Sequence, residues 1–306
     1  NKWGTAGNWT PNGIPGSDPA DVVIISQDAT IENNGGAYPG NLAELRLVGG
    51  VTLTFQENAD ALTVKNVLVT EGKAVINTTS GAHFVVSDTA QASFDIAKDA
   101  SLSIKGNGVK GVAGNLTLHG EGTLKLEAPV TDASGLKIEG GATLVLASAA
   151  ALPAVNSAQT ITKGNLVVDK KDAFETTMTG LTMKEGDLTL NAKHSLRKEC
   201  LAVAMEKGVL TVNGKEAIEV ATLAFDGEEF TATGDAKCVV TLDEKGKLDV
   251  NAPRAVFKEL KKGAKAGSVV VKDGASLYVG ADADCAIEVP VTGKVGIFAD
   301  TAAHKV

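Results

Sequence analysis

The sequence predicts an all-β protein folded as a parallel β-solenoid, and three observations carry this prediction. Short runs of the chain alternate apolar and polar residues, which is the period of strands with one buried face. The 306 residues include 34 glycines but only 4% aromatic residues, a composition typical of many tight turns around a narrow aliphatic interior. A strand–turn–strand pattern also repeats along the chain, and internal repeats of about 20 to 50 residues are typical of solenoids.

The clearest repeat spans residues 136–146, where two apolar-x-apolar strands flank a turn at Gly141. Further repeats start near residues 45, 67, 94 and 116, a spacing that suits one solenoid coil. In the repeat that starts at residue 67, the second strand is predicted to direct Val75 and Asn77 inward. In the repeat that starts at residue 94, Asp99 is the predicted turn residue. The predicted turn glycines are Gly50, Gly72, Gly122, Gly141 and Gly274.

The apolar positions of the repeat are expected to point inward and to stack from coil to coil. Each coil of a solenoid buries its apolar face only against its neighbours, so the stacking fixes the register. The inward residues of one coil are predicted to be Leu136, Ile138, Leu144 and Leu146, lying on Leu116, Leu118, Leu124 and Leu126 of the preceding coil.

The rhythm of the repeat changes after residue 146, where an Ala-rich stretch contains Pro153. Looser repeats start near 166, 181, 210, 240 and 269, mostly about 30 residues apart, which predicts longer coils with loop excursions. Residues 195–207 and 256–266 favour a helical turn or two slightly over irregular strand. The expected segments are a cap over 1–20, regular coils over 21–150, looser coils over 151–285 and a C-terminal strand or edge over 286–306.

A pair of tandem β-sandwich domains is the rival architecture, because strand, glycine turn and strand also describe a hairpin. Asn-Gly and Asp-Gly pairs are few at the repeat turns, although they are the preferred residues of short hairpins. The repeat also continues for more than half of the chain. The solenoid is therefore the favoured prediction.

The first twenty residues differ from the rest, with both tryptophans and three of the eight prolines but no alternation. Trp3, Gly7-Asn8-Trp9, Pro15-Gly16 and then the strand-forming residues 21–24 follow one another in that order. This order resembles the opening of bacterial cell-surface and autotransporter-passenger proteins that fold as right-handed parallel β-helices. The resemblance implies a right-handed coil, an N-terminal cap and an extracellular location. The autotransporter pattern also calls for a C-terminal membrane barrel, and none is expected within these 306 residues.

Charge and hydropathy exclude several classes of function. The formal charge of −8 and the pI near 5.1 give no basic surface for nucleic acid. The sequence contains no run of about 18 apolar residues, which is the length that a membrane-spanning helix needs. The chain starts at Asn1 without a signal peptide or an initiator Met, so either a processed mature form or a trimmed chain is expected, and a secreted protein with its signal peptide removed is favoured. The thiols Cys200, Cys238 and Cys285 are expected to be buried, although one disulfide plus a free thiol remains the alternative.

The sequence shows no catalytic set. It contains no G-x-S-x-G, H-E-x-x-H or P-loop motif, and the histidines are dispersed at positions 83, 119, 194 and 304. Glycoside hydrolysis needs two convergent carboxylates, and a long glycan groove would need more aromatic residues than the chain has. We therefore expect no enzyme activity, no cofactor and no metal.

A few charged residues stand out as weaker candidates. The acidic pairs Asp18/Asp21 and Asp282/Asp284 could hold a hard cation, but solvated turn residues are the simpler interpretation. Arg254 is the one arginine whose surroundings suggest a site, and it stands alone.

Three functions follow from this pattern. The favoured one is a non-catalytic extracellular structural protein that assembles head-to-tail with copies of itself into a surface filament, sheath or layer. The second is a monomeric adhesin that binds a host or glycan ligand, and the third is a polysaccharide lyase or hydrolase on the same scaffold.

Both ends of the chain are predicted to take part in assembly. Trp3, Trp9 and Ile14 are expected to cover apolar side chains of the first coil around Val22, Ile24 and Ile31. Residues 286–299 are strongly strand-prone and would present an edge to a neighbouring subunit. The residues assigned to that edge are Val289, Val291, Val295, Ile297 and Phe298.

Overall fold

A computed structural model describes the parts of the chain used below. These are residues 3–11, 13–16, 18–32, 41–56, 62–78, 84–86, 93–107, 109–110, 114–131, 133–147, 152, 155, 157–174, 178–196, 200, 202–214, 218, 220, 222–232, 239–244, 246–250, 255–257, 259–279 and 287–293. The chain divides into two compact units, Asn1–Val155 (unit 1) and Asn156–Val306 (unit 2). The change of rhythm that the sequence places near residue 150 lies close to this boundary.

Unit 1 contains fourteen strands in its described part, preceded by a short 3-10 turn over Ala6–Asn8. The strands are β1 (Val22–Ile25), β2 (Ala29–Ile31), β3 (Asn41–Val48), β4 (Thr52–Phe55), β5 (Leu62–Glu71), β6 (Lys73–Thr78), β7 (Phe84–Val86), β8 (Ser93–Ile96), β9 (Ser101–Gly106), β10 (Val109–Lys110), β11 (Gly114–Gly120), β12 (Thr123–Leu126), β13 (Ala133–Ile138) and β14 (Thr143–Leu146).

Unit 2 contains fifteen strands in its described part. They are β15 (Gln159–Ile161), β16 (Asn165–Val168), β17 (Gly180–Met183), β18 (Leu188–Leu190), β19 (Ala202–Met205), β20 (Val209–Val212), β21 (Thr222–Phe225), β22 (Glu229–Ala232), β23 (Val239–Leu242), β24 (Lys247–Val250), β25 (Ala255–Phe257), β26 (Glu259–Lys262), β27 (Ser268–Val271), β28 (Leu277–Val279) and β29 (Val291–Gly293).

The strands of each unit form stacked parallel sheets. In unit 1, sheet I has the order β1-β3-β5-β8-β11-β13 and sheet II the order β2-β4-β6-β9-β12-β14. In unit 2, sheet III runs β15-β17-β19-β21-β23-β26 and sheet IV runs β16-β18-β20-β22-β24-β27-β29. Neighbours in a sheet come from successive coils and every described pairing is parallel, as a β-solenoid requires. The all-β solenoid prediction is confirmed, and the tandem-sandwich alternative, which needs antiparallel strands, is wrong.

Aliphatic columns fill the interior of the stack. In sheet I one inward column is formed by Val23, Leu45, Val67, Phe94, Leu118 and Ile138. In sheet IV the corresponding column is formed by Leu166, Leu188, Leu210, Phe230, Leu248, Val269 and Val291. All of these except Val291 are almost fully buried, so the hydrophobic effect acts along the stack axis through contacts between neighbouring coils.

The predicted register around residues 136–146 is confirmed. Leu136 pairs with Leu116 and Ile138 with Leu118, while Leu144 pairs with Leu124 and Leu146 with Leu126. All eight side chains are at most 4% exposed.

The predicted register of the repeat at residue 67 is wrong in its second strand. Ala74 and Ile76 point inward in β6, whereas Val75 and Asn77 lie on the outer face. The pairing of β3 with β5 jumps from Leu47–Val69 to Val48–Glu71, so one extra residue enters the strand as a β-bulge. Because side chains alternate with a period of two, one inserted residue exchanges the inner and outer faces of the strand that follows.

Two expectations for the second half are also wrong. Successive inward residues of sheet IV lie only 18 to 22 residues apart, so coils of about 30 residues are not found in the described part. Residues 202–205 and 259–262 form strands β19 and β26 instead of helical turns, because they pair in sheet III and bury Val203, Met205 and Leu260. Within the described residues, no helix is long and apolar enough to cross a membrane.

Candidate assembly site at the first strand

The N-terminal segment is held against the first coil by Trp3. Its side chain is 2% exposed, and its backbone N–H donates to the Thr30 carbonyl at 3.2 Å. Thr30 lies in β2, on the side away from β4, so Trp3 takes the position that a further strand of sheet II would take. Trp3 therefore closes the outer edge of β2.

Trp9 is fixed on top of Trp3 by an aromatic contact and a hydrogen bond. The two ring centroids are 4.9 Å apart in an edge-to-face arrangement, which favours the ring quadrupoles. The Trp9 indole Nε1 donates to the Trp3 carbonyl at 2.8 Å, and the Trp3 indole donates to the Pro15 carbonyl at 3.4 Å. Trp9 and Ile14 stay half-buried and form one wall of a groove.

The acidic pair Asp18 and Asp21 organises the turn between this segment and β1. The Asp21 carboxylate accepts the backbone N–H groups of Gly16 at 2.7 Å and Asp18 at 3.4 Å. The Asp18 carboxylate accepts the Ala20 N–H at 2.8 Å. These side chains act as turn ligands for backbone groups, and they set the position at which β1 begins.

Strand β1 faces the opposite way from the sequence expectation. Val23 and Ile25 point into the core, whereas Val22 and Ile24 are 52% and 55% exposed. They are the only large apolar side chains recorded as exposed among the described residues. The expectation that the cap segment covers Val22 and Ile24 is therefore wrong, although Ile31 is buried at 2% as expected.

One edge of β1 has no strand partner in the part of the chain that the structure describes. Its other edge pairs with β3, where the Asp21 carbonyl accepts the Ala43 N–H at 2.9 Å. Main-chain groups alternate sides along a strand, so those of Asp21, Val23 and Ile25 face β3. The N–H and C=O groups of Val22 and Ile24 consequently face the open side.

A groove of about 660 Å³ runs along this open edge. It is lined by Trp3, Asn8, Trp9, Thr10, Pro11, Gly13, Ile14, Pro15, Asp21, Val22, Val23, Ile24, Ile25, Ser26, Gln27 and Ala29. One wall is thus a strand edge whose outer main-chain groups have no strand partner among the described residues, and the other is an aromatic and proline-containing surface. This combination suits an extended polypeptide, whose main chain needs partners on one side.

The residues assigned to C-terminal assembly are described only in part. Val289 is 5% exposed, and Val291 begins β29, where it pairs with Val269 of β27. Val295, Ile297 and Phe298 lie outside the described residues.

The predicted turn glycines occupy several different geometries. Gly72, Gly141 and Gly274 have φ of +73°, +99° and +82°, in the left-handed region that favours glycine. Beside Gly50, the left-handed position belongs to Gly49 at φ +80°. A Cβ at Gly122 would lie 2.4 Å from the Ala97 carbonyl oxygen, so close approach of two coils requires glycine there.

Of the weaker metal candidates, the Asp18/Asp21 pair lies within the described residues, and both carboxylates accept backbone N–H groups of their own turn. No group of three or more His, Cys, Asp or Glu side chains that could hold a metal ion is found in the described part of the chain. His119 pairs with Glu139 at 3.3 Å, and His194 lies 3.9 Å from Asp172, both on the outside of a coil. Arg254, Asp282 and Asp284 lie outside the described residues, as do His83 and His304.

Cys200 is a buried thiol that belongs to the core. Burial raises the pKa of its thiol to about 11, against an ordinary value of 9.0, so it is a poor nucleophile near neutral pH. Cys238 and Cys285 lie outside the described residues.

Sequence reasoning missed the role of Val22 and Ile24, and the reason is physical. Residues 22–25 are four apolar residues in a row, so no alternation indicates which pair points inward. A usable signal was the Trp-, Gly- and Pro-containing segment before them, whose lack of alternation predicts no regular strand on that side of β1.

The chain was also compared with family models, with curated proteins and with solved structures. No family model matches it, and neither search found a protein or a solved structure that matches.

Proposed function

We propose that this protein is a non-catalytic, extracellular structural protein, a stiff β-solenoid subunit that assembles with copies of itself into a filament, sheath or layer at a bacterial cell surface. The observation that carries the proposal is the open edge of β1, with the exposed Val22 and Ile24 beside it. Soluble monomers normally protect such edges with charges, prolines or a covering segment. Residues 22–25 have neither charge nor proline.

Contacts between neighbouring coils support a stiff building element. The Glu185 carboxylate lies 3.2 Å from Lys163 and 3.5 Å from Lys207, so ion pairs join three successive coils. The Asn191 side-chain amide donates to Asp169 at 2.6 Å. These outer contacts add to the buried columns and the continuous main-chain ladders, which resist bending of the stack.

The extracellular part of the proposal depends on the resemblance of the opening segment to bacterial cell-surface β-helices. The carrying residues have a structural role that agrees with it, because Trp3 and Trp9 pack together over the first coil. A cap at that position is what a solenoid needs at its first coil.

The experiment is to follow the purified full-length chain by light scattering and negative-stain electron microscopy over a range of concentrations. We expect scattering to rise above a critical concentration and ordered filaments or layers to appear. Isolated particles at all concentrations, with no concentration dependence, would reject self-assembly.

An adhesin is the second candidate, favoured by the composition of the groove. Trp9 is partly exposed there, and the amide side chains of Asn8 and Gln27 line the same space. An aromatic face with neighbouring amides is a surface on which a sugar ring can stack and form hydrogen bonds. Binding of soluble oligosaccharides by a protein that stays monomeric would favour this function over assembly.

A further inference from the structure

We infer that the groove beside β1 binds an extended segment of a different polypeptide, in which an apolar, strand-forming stretch has lysine or arginine at one end. The segment adds to sheet I as a further strand beside β1, and a bound segment blocks the addition of a subunit there. Binding of the segment stands apart from the proposed function, whereas its effect on assembly rests on that function.

The cap determines that the occupant is one strand and not a whole coil. A coil stacked on the first coil of unit 1 needs free edges on both β1 and β2. The Trp3 N–H already donates to the Thr30 carbonyl of β2, and the Trp9 indole is hydrogen-bonded to the Trp3 carbonyl. A single extended segment therefore fits beside β1 without displacing the cap.

The main chain of β1 offers an extended segment a regular set of hydrogen bonds. The N–H and C=O groups of Val22 and Ile24 face the groove and have no strand partner among the described residues. Another backbone satisfies all of these groups in one ladder, whereas a sugar or a compact side chain leaves some of them unpaired. The four residues of β1 span about 13 Å, which is the length of a short strand.

The walls of the groove favour apolar side chains on both faces of the segment. Val22 and Ile24 are 52% and 55% exposed on the outer side. Trp9 and Ile14 line the opposite wall, and both are half-buried. Alternate side chains of an added strand point to opposite faces, so one set lies beside Val22 and Ile24 while the other set faces the cap. Both sets leave water on binding, which favours apolar β-branched residues in the segment.

Two uncompensated carboxylates at the start of β1 favour a basic segment. Asp21 lines the groove and Asp18 lies in the turn before it, where both accept backbone N–H groups of that turn. Neither carboxylate forms an ion pair with a described residue. On the neighbouring strand β3, Glu44 and Arg46 neutralise each other at 2.7 Å. A lysine or arginine beside Asp21 therefore meets an opposite charge, whereas another copy of this chain carries a formal charge of −8.

Tryptophan fluorescence is a selective probe of the groove, because Trp3 and Trp9 are the only two tryptophans and both line it. The ligand is a synthetic peptide of alternating valine and threonine residues with two lysines at one end and no aromatic residue. It is titrated into the full-length protein at a concentration at which light scattering shows single particles. We expect the emission to shift and to saturate.

Three further peptides test the chemistry of the segment. A peptide with two glutamates in place of the lysines should bind several-fold more weakly. The other two carry N-methyl groups on alternate backbone nitrogens, one on the valines and one on the threonines. Only one edge of the added strand faces β1, so one of these two peptides should bind and the other should not.

The protein variant Ile24→Pro removes one N–H that faces the groove and leaves the hydrogen bonds to β3 in place, so it should lose binding of every peptide. Asp21→Asn keeps an oxygen that can accept the N–H groups of the turn but removes the charge. It should weaken the lysine peptide several-fold without weakening the glutamate peptide. Asp95→Asn, on the exposed face of β8, is the matched control and should bind as the wild type does. Melting curves establish that all three variants are folded.

The outcomes separate the segment site from the proposed function. Equal binding of the lysine and glutamate peptides, or of the two N-methylated peptides, would overturn the inference, as would an emission change with oligosaccharides but none with peptides. If the wild type assembles, saturating lysine peptide should keep the scattering at the level of single particles. Binding without an effect on scattering would keep the segment site and remove the β1 edge from the assembly contact. Binding by a protein that never assembles would keep the site and reject self-assembly.

Discussion

The two units build their turns differently, although both are stacks of parallel coils. Unit 1 uses left-handed residues of mixed type, with Gly72 at φ +73°, Asp99 at +63° and Gly141 at +99°. Its coils are uneven, because successive inward residues of sheet II lie 20 to 28 residues apart, through Leu53, Ile76, Ile104, Leu126 and Leu146. The regular element in unit 1 is the buried side-chain column.

Unit 2 stacks glycine on glycine at the same turn of four consecutive coils, whereas in unit 1 such contacts are scattered, as between Gly72 and Gly49 and between Gly140 and Gly120. A Cβ at Gly186 would lie 2.0 Å from the Gly164 carbonyl oxygen, and one at Gly208 would lie 2.1 Å from that of Gly186. Gly227 approaches Gly208 and Gly267 approaches Gly246 in the same way, both at 2.4 Å. Close main-chain approach at this turn accompanies coils of more even length. Both units have buried side-chain columns, so the comparison teaches that unit 2 adds a repeated backbone contact at one turn to a register that the columns already hold.

The largest effect is expected from a charge placed in the column of unit 1. Ile138→Asp buries an unpaired carboxylate beside Leu118, and we expect the free energy of unfolding to fall by about 4 kcal/mol or more. Thermal and urea denaturation measure the change. Val145→Asp, on the outer face of β14, is the control and should cost less than about 1 kcal/mol. Equal stability of Ile138→Asp and wild type would refute the role of the column.

The glycine turns provide an intermediate effect. Gly208→Ala combines a left-handed φ of +115° with a Cβ that meets the Gly186 carbonyl. We expect the free energy of unfolding to fall by about 3 kcal/mol. Gly141→Ala shares the left-handed φ but has nothing within 4 Å, so its loss should be about 1 kcal/mol. The same denaturation measurements apply. Equal losses would mean that backbone strain alone matters and that the close approach adds nothing.

The smallest effect concerns the outer ion pairs of unit 2. Lys163 and Lys207 lower the pKa of Glu185 below its ordinary value of 4.5, chiefly through the hydrogen bond from Lys163. A lowered carboxyl pKa contributes stability above the unfolded pKa, and this contribution disappears as pH falls through the lowered pKa. Glu185→Gln should therefore melt slightly earlier than wild type at pH 7 in low salt, with the difference vanishing in acid or high salt. A difference that persists in both conditions would point to packing instead of charge.

The fold class and much of the unit 1 register were predictable from sequence. Clear alternation placed Leu116, Leu118, Leu136 and Ile138 inward, because period two is directly visible where apolar and polar residues alternate. The face of residues 73–78 was not predictable, since the bulge near Thr70 shows only in the main-chain pairing.

The coil length of unit 2 was missed because its clearest marker is the turn glycine that precedes each apolar pair, and not the apolar pair alone. Leu188 and Leu190 follow Gly186 by the same spacing as Leu166 and Val168 follow Gly164, so a glycine-x-apolar-x-apolar search finds both coils. At the candidate site, the cap residues were recognised by composition, but four apolar residues in β1 carry no period. Their exposure depends on the missing neighbour strand, which is a tertiary property.

The stacked glycines of unit 2 also make the solenoid a modular object. Gly164, Gly186 and Gly208 are each 22 residues apart, so excising residues 186–207 joins Glu185 directly to Gly208. The joined chain keeps a glycine at the turn and Leu210 in the position that Leu188 held, with Val209 in place of Asp187. Shortening or duplication by whole coils is thus a natural way for such a protein to change its length, since each inward residue keeps a counterpart in the neighbouring coil.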